Sequence, residues 1–300
     1  MKLLESLSKR YKRFLEERRY QIEDMKLIFD LWKKSPLTML GTVIVISLIF
    51  MAIFVPWFAP HDPLEQDVYN RLAPPSSEHL LGTDQLGRDI LSRILYGSRI
   101  SLVIAIIVVA IACSTGLILG LLSGYFGGVL DEIIMRVTDI FLAFPRLVLA
   151  MAFAAALGPS LLNTMIAIAV TSWPVYARLA RASTMQIRNE FYIEAARSIG
   201  ASDLRIMFRH VLPMILAPIV VQATLDMGGV ILTAAGLGFI GLGAQPPTPE
   251  WGVMVSEGRY YLSSQWWVST FPGLAILITV LGFNLLGDGL RDIFDVRMRR

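Results

Sequence analysis

The chain has 300 residues, of which 55% are apolar and only 17% charged, with a mean hydropathy of +0.59. A soluble domain carries about 25% charged residues, and the small net charge of +3 is spread in clusters that leave long apolar runs between them. The composition therefore excludes an ordinary soluble domain and reads as an all-α integral membrane protein with several spans.

In chain order, residues 1–36 read as a basic amphipathic helix. Leu4, Leu7, Tyr11, Phe14, Ile22, Met25, Phe29 and Trp32 recur at helical spacing among Lys and Arg. Such a helix lies along an anionic membrane surface or docks a partner. It does not have the small-residue cleavage site of a signal peptide. Six spans are expected in a domain covering residues 37–290, at about 20 apolar residues each. They fall near 37–58, 100–123, 137–157, 161–177, 213–242 and 271–286. The third contains Asp139 and Arg146, and the fifth contains Asp226. Outer loops are expected over 59–99 and 243–270, and a tail over 291–300. On alternating sides of the membrane the loops and ends carry 21 and 5 Lys and Arg. The positive-inside rule then puts both termini in the cytoplasm.

Several chemistries fall away. All six lysines lie at or before Lys34, so no Gly-Lys-Ser/Thr phosphate loop is present. The single Cys113 rules out an intrachain disulfide and a Cys-rich metal site. His61, His79 and His210 are far apart in sequence. No metal site, catalytic residue or cofactor is expected in this chain, and nothing in it suggests a nucleic-acid partner.

The loop over 181–213 is the most informative segment. Its 33 residues greatly exceed a helix-hairpin connection of about two to eight. Met185, Ile187, Phe191, Ile199, Leu204, Met207 and Phe208 fall at roughly helical spacing with arginines between them. This predicts short amphipathic helices broken at Gly200, forming a structured surface with apolar anchors, a surface that docks something.

Within it stand Glu194-Ala195-Ala196, Gly200 after three residues, and Leu212-Pro213 after eleven more. This pattern resembles the EAA loop of ABC-importer permease subunits, where an apolar residue often replaces His210. Two further stretches are similar to the dipeptide, oligopeptide and nickel branch. One is Leu81-Gly82-Thr83-Asp84 with Gly87-Arg88-Asp89, Ser92-Arg93 and Tyr96-Gly97. The other runs from Gly243 to Gly252. The likeness spans about residues 37–291 and is nearest to the C-type subunit.

The resemblance implies a type I ABC-importer permease fold in a bacterial cytoplasmic (inner) membrane. It implies a heterodimer with a second permease, two cytoplasmic ATPases that hold ATP and magnesium, and an extracytoplasmic substrate-binding protein. It further implies that Glu194, Ala195, Ala196, Gly200, Ala201, Arg205 and His210 couple the chain to an ATPase. The expected cargo is a peptide, with nickel chelates or glutathione as alternatives. A secondary transporter is a remote rival, because no clear repeat is visible and a large amphipathic inner loop has no role without a partner. An intramembrane enzyme is more remote.

Two charges inside spans are expensive and therefore informative. Arg146 and Asp226 lie at similar depth, counted from the inner ends of their spans, and are expected to line or gate the pathway as an ion pair. The alternative partners for Arg146 are Asp139 or the other permease. Asp288 and Arg291 are expected to pair at i, i+3. In the second outer loop, Glu250, Trp251 and Glu257 are the expected contacts for the binding protein. Trp266, Trp267, Tyr260 and Tyr261 there suit an aromatic belt at the interface.

Overall fold

The computed structural model describes residues 30–298, so the expected N-terminal helix lies almost wholly outside the described residues. The chain is helical, with one isolated bridge between Thr83 and Asp89. The principal helices are α1 (Pro36–Phe58), α2 (Ile90–Phe126), α3 (Gly128–Leu142), α4 (Arg146–Leu157) and α5 (Leu161–Ile187). They continue with α6 (Phe191–Ser198), α7 (Asp203–Phe239), α8 (Trp251–Gly258) and α9 (Trp267–Met298).

Starts and stops follow local chemistry. Ser35 caps α1 ahead of Pro36, Asp89 caps α2 by accepting from Ser92 N–H, and Ser160 caps α5 by accepting from Asn163 N–H. Each side chain satisfies a donor that a helix start leaves open. Gly127, at φ +69°, ends α2 in a conformation that other residues rarely adopt.

Among the described residues, four helices, α1, α2, α7 and α9, are long and apolar enough to cross a membrane. The expected third span is not one helix. It breaks into α3 and α4, which meet at 90°. Pro145 stands at the cap of α4, and a proline disfavours helical geometry in the residue before it. The fourth expected span extends ten residues beyond 177 to Ile187, and the helix of the fifth begins at Asp203 rather than Pro213. It passes through a wide turn at Met207–Val211 that includes His210. Nor is 243–270 only a loop, since it folds α8 against the bundle.

The helix α2 is 37 residues long, about 55 Å at 1.5 Å per residue, well beyond a hydrocarbon core of about 30 Å. It therefore joins two ends of the molecule. The head holds the segment before Ile90 together with α8, and the foot holds α6 and the start of α7. Along its second half α2 lies directly on α5. A Cβ on Gly116, Gly120 or Gly124 would fall 2.5, 2.3 or 2.8 Å from Trp173 O, Ala177 O or Arg181 O. Small residues at i, i+4 let two backbones meet this closely, the packing that substitutes for hydrophobic drive inside a bilayer. The core divides accordingly. One cluster includes Ile90, Ala154, Ala235 and Trp251, and the other includes Tyr125, Ile193, Ala196 and Met207.

Candidate functional site

At the foot, α6 carries the Glu-Ala-Ala motif with a defined polarity. Ile193 and Ala196 are buried, while Glu194 and Ala195 face outward. Gly200, at φ +83°, closes the helix, with Ala201 N–H donating to Ala196 O and Gly200 N–H to Arg197 O. This Schellman-type stop needs a left-handed residue at that position. Arg205 is exposed and His210 half-buried. Around them Phe191 is 87% and Ile199 85% exposed, with Leu204 and Phe208 also exposed. Met207, expected among the anchors, turns into the core instead.

This apolar surface is clamped to the bundle. Tyr125, at the end of α2, donates its hydroxyl to Asp203 Oδ1 at 2.7 Å and lies under the Arg197 guanidinium at 5.7 Å. Arg188 Nη1 donates to Gly124 O and Tyr125 O, capping the last carbonyls of α2. Arg181 grips Asp131 with two bonds of 2.5 and 2.6 Å, and Arg178 holds Asp139 at 2.5 Å. These contacts tie α6 and the start of α7 to the end of α2, and tie α5 to α2 and α3. The partners of these arginines lie 39 to 64 residues away in sequence, so no local spacing marks them.

Between foot and head, Arg146 and Asp226 meet, with Nη1 2.6 Å from Oδ1. Tyr176 donates its hydroxyl to Asp226 Oδ2 at 3.1 Å. Asp226 is buried, whereas Arg146 is 31% exposed by side chain. The pair forms where α4 begins at the bend, not at matched depths in two straight spans. Asp139 is not the partner, because it is engaged by Arg178. No ion pair joins Asp288 to Arg291, and both are exposed.

At the head, the residues expected to meet a binding protein are turned inward. Trp251 is 1% exposed and donates Nε1–H to Ile94 O at 3.0 Å. Glu250 is 3% exposed and caps α8 by accepting from Gly252 and Val253 N–H, each at 2.9 Å. Burial pushes its carboxyl above the ordinary value, against the pull of those two N–H groups. Glu257 Oε2 accepts from Arg88 Nη2 at 3.1 Å and lies 3.5 Å from Arg93 Nη2. Arg88 Nε donates to Asp84 Oδ2 at 2.6 Å, and Arg93 Nη1 donates to Pro63 O and Pro247 O. Glu250 and Trp251 thus both have internal partners. They lock α8 to α2.

Comparison with known proteins follows this geometry. Residues 116–300 match the family described as binding-protein-dependent transport system inner membrane component. Residues 25–75 match the N-terminal transmembrane domain of oligopeptide transport permease C. The chain belongs to this family of ABC-importer permease subunits, in its dipeptide and oligopeptide branch, and is a multi-pass membrane protein.

Among similar proteins, the probable D,D-dipeptide transport system permease protein DdpC of Escherichia coli K12 is 53% identical, over 90% of each chain. The di/tripeptide transport system permease protein DppC of Pseudomonas aeruginosa is 50% identical, over 86% of this chain and 88% of its own. The glutathione transport system permease protein GsiD of Escherichia coli is 47% identical, over 89% of each. A chain from an inward-facing structure of the MetNI methionine ABC transporter shares the fold, at TM-score 0.55 and 21% identity. The match covers 69% of this chain and 97% of that one.

Proposed function

We propose that this chain pairs with a second permease to form the pathway of an ATP-driven importer of short peptides. The observation that carries the reading is the exposed apolar surface over residues 191–208. It is held at its base where Tyr125 of α2 bonds Asp203 and lies under Arg197 of α6, and where Arg188, just after α5, bonds the last carbonyls of α2. Two ATPase subunits binding magnesium-ATP would cover Phe191, Ile199, Leu204 and Phe208, with Glu194 and Arg205 at the rim. The chain itself supplies no hydrolysis. Rigid-body movement of the ATPases would pass through the foot clamps to the helices, since packed interfaces switch between discrete arrangements. Arg146, Asp226 and Tyr176 would line or gate the pathway at the bend. An extracytoplasmic binding protein would approach the head and deliver the substrate.

Six crossings fit this assembly in a bacterial inner membrane, with both termini cytoplasmic. The half-polar α5 and the bent α3–α4 pair would supply the two crossings that hydropathy alone leaves out, sheltered by neighbouring helices. Peptide cargo follows from the relatives at 50% identity and above. Glutathione is the second reading, favoured by the relative at 47%.

The test is reconstitution of the chain with its co-purifying subunits and a binding protein in liposomes. ATP-dependent uptake of a labelled dipeptide, absent without ATP and competed weakly by glutathione or a nickel chelate, is expected. Uptake by the isolated chain, driven by a proton gradient and indifferent to ATP, would overturn the reading in favour of a secondary transporter.

A further inference from the structure

The segment joining α1 to α2 gathers three side chains that the sequence keeps apart. His61 follows the end of α1, His79 lies within the connection, and Asp89 caps α2. His79 Nδ1 is 3.0 Å, and His61 Nδ1 3.8 Å, from the same oxygen, Asp89 Oδ1. The two imidazole centroids are 4.7 Å apart. All three donor atoms lie within 4.8 Å of one another. Spacing along the chain gives no sign of this convergence.

The arrangement is pre-organised from behind. Asp89 Oδ2 is occupied by Ser92 N–H at 2.7 Å, which leaves Oδ1 facing the histidines. Ser92 Oγ accepts from His61 N–H at 3.1 Å, tying the end of α1 to the start of α2. His79 is held in a tight turn. Ser76 and Gly82 N–H both donate to its carbonyl at 2.8 Å, and its own N–H donates to Ser76 Oγ at 3.0 Å. Supporting bonds of this kind orient metal ligands.

One proton satisfies the His79–Asp89 contact, but it cannot satisfy the third member. His61 Nδ1 is buried without a hydrogen-bond partner, and 3.8 Å is too long for such a bond to Asp89. An unpaired buried nitrogen costs about 1–3 kcal/mol. A cation among the three atoms would use every lone pair. Ligands of a tetrahedral ion with bonds of about 2.0–2.2 Å stand roughly 3.3 Å apart, and 3.0 and 3.8 Å bracket that separation. The cleft in front, of about 160 Å³, is also lined by Asp62, Glu65, Asp67 and Glu78. These carboxylates make the cleft attractive to cations. Two imidazoles select a first-row transition ion over calcium or magnesium, which prefer oxygen alone.

We propose that His61, His79 and Asp89 bind a divalent transition-metal ion, with Zn²⁺ the best fit, as a staple between α1, its connection and α2. The ion takes the place of the proton at His79 Nδ1, which moves to the ring's Nε2, so that both imidazoles coordinate through an Nδ1 lone pair. The site lies at the opposite end of α2 from α6 and does not depend on the importer reading.

The test uses the full-length chain in detergent, with whatever subunits accompany it, stripped by a chelator and titrated with Zn²⁺ alone. One Zn²⁺ per chain by elemental mass spectrometry is expected, together with a rise in the thermal midpoint. His61→Gln should weaken binding by about 10-fold or more and abolish the rise, while His210→Gln at the foot binds as the parent does. Asp89→Asn keeps an acceptor for Ser92 N–H and serves if the His61 variant does not fold. Zinc bound no more tightly by the parent than by the His61→Gln, His79→Gln double variant would overturn the proposal.

Discussion

The head and the foot stand at the two ends of one 37-residue helix and treat charge and apolar surface in opposite ways. At the head, Arg88, Arg93, Asp84 and Glu250 are buried, and each is paired or bonded to backbone. Trp251 fills the core beneath them. At the foot, Phe191 and Ile199 are left almost bare, while the polar residues behind them are clamped. The head completes itself and the foot does not. A side chain that is internally satisfied contributes to stability, and a large apolar side chain held outward on a rigid mount is waiting for a surface.

The contrast can be broken from the head. Trp251→Ala empties a buried site against Ile94 and Gly97, and Arg88→Ala removes the nearer of the two cations between Asp84 and Glu257, leaving only the 3.5 Å contacts to Arg93. Each should cost about 3–5 kcal/mol, read as a thermal midpoint in detergent or as loss of folded protein from the membrane. Parent-like stability in either variant would show that the head is not a locked cap.

At mid-height, Asp226→Asn removes the charge that holds Arg146 and should cost about 2 kcal/mol. Transport should fall further than stability does. A charge exchange of Arg146→Asp with Asp226→Arg that recovers nothing over the single changes would count against direct pairing as the functional feature.

Gly200→Ala sharpens the picture of the foot. Nothing obstructs a Cβ there, but φ is +83°, so the cost is backbone strain of about 1–2 kcal/mol. Hydrogen exchange confined to α6 and the start of α7 is the expected readout.

Smaller still is the pH response of Glu250. Its carboxyl is raised in the folded chain, so its contribution is fully present below the unfolded value and is lost as pH rises through the folded value. Glu250→Gln should flatten that decline in thermal midpoint. An unchanged slope would assign the decline elsewhere.

The spans were legible where apolar runs were long, in α1, α2, α7 and α9. The break at Pro145 was in the sequence too, but averaging hydropathy across 137–157 smoothed it away. The glycine stripe of Gly116, Gly120 and Gly124 carried the contact between α2 and α5 in plain view. Its partner helix was underestimated because α5 is half polar and sheltered by neighbours. Scarcity of charge inside spans and similar depth suggest Arg146 with Asp226 but leave Asp139 as an alternative, and the bend, with Arg178 engaging Asp139, settles the pairing. The Glu-Ala-Ala loop was readable as a motif, but not its clamp on Tyr125. In the second outer loop Tyr260 and Trp266 are exposed whereas Trp251 and Glu250 are buried, and composition cannot tell a surface Trp from one whose Nε1–H reaches a helix carbonyl. Contacts such as Arg88 to Glu257, or His61 to His79 and Asp89, depend on tertiary closure and leave no local signal.

The most direct measurement places a photoreactive residue at Ile199 and another at Glu257 in membranes that hold the whole assembly. The bare foot position is expected to capture a subunit carrying a nucleotide-binding phosphate loop, and the satisfied head position to capture none. Capture of that subunit from Glu257, or its absence from Ile199 with folded protein present, would contradict the division between a self-completed head and a foot that awaits its ATPase.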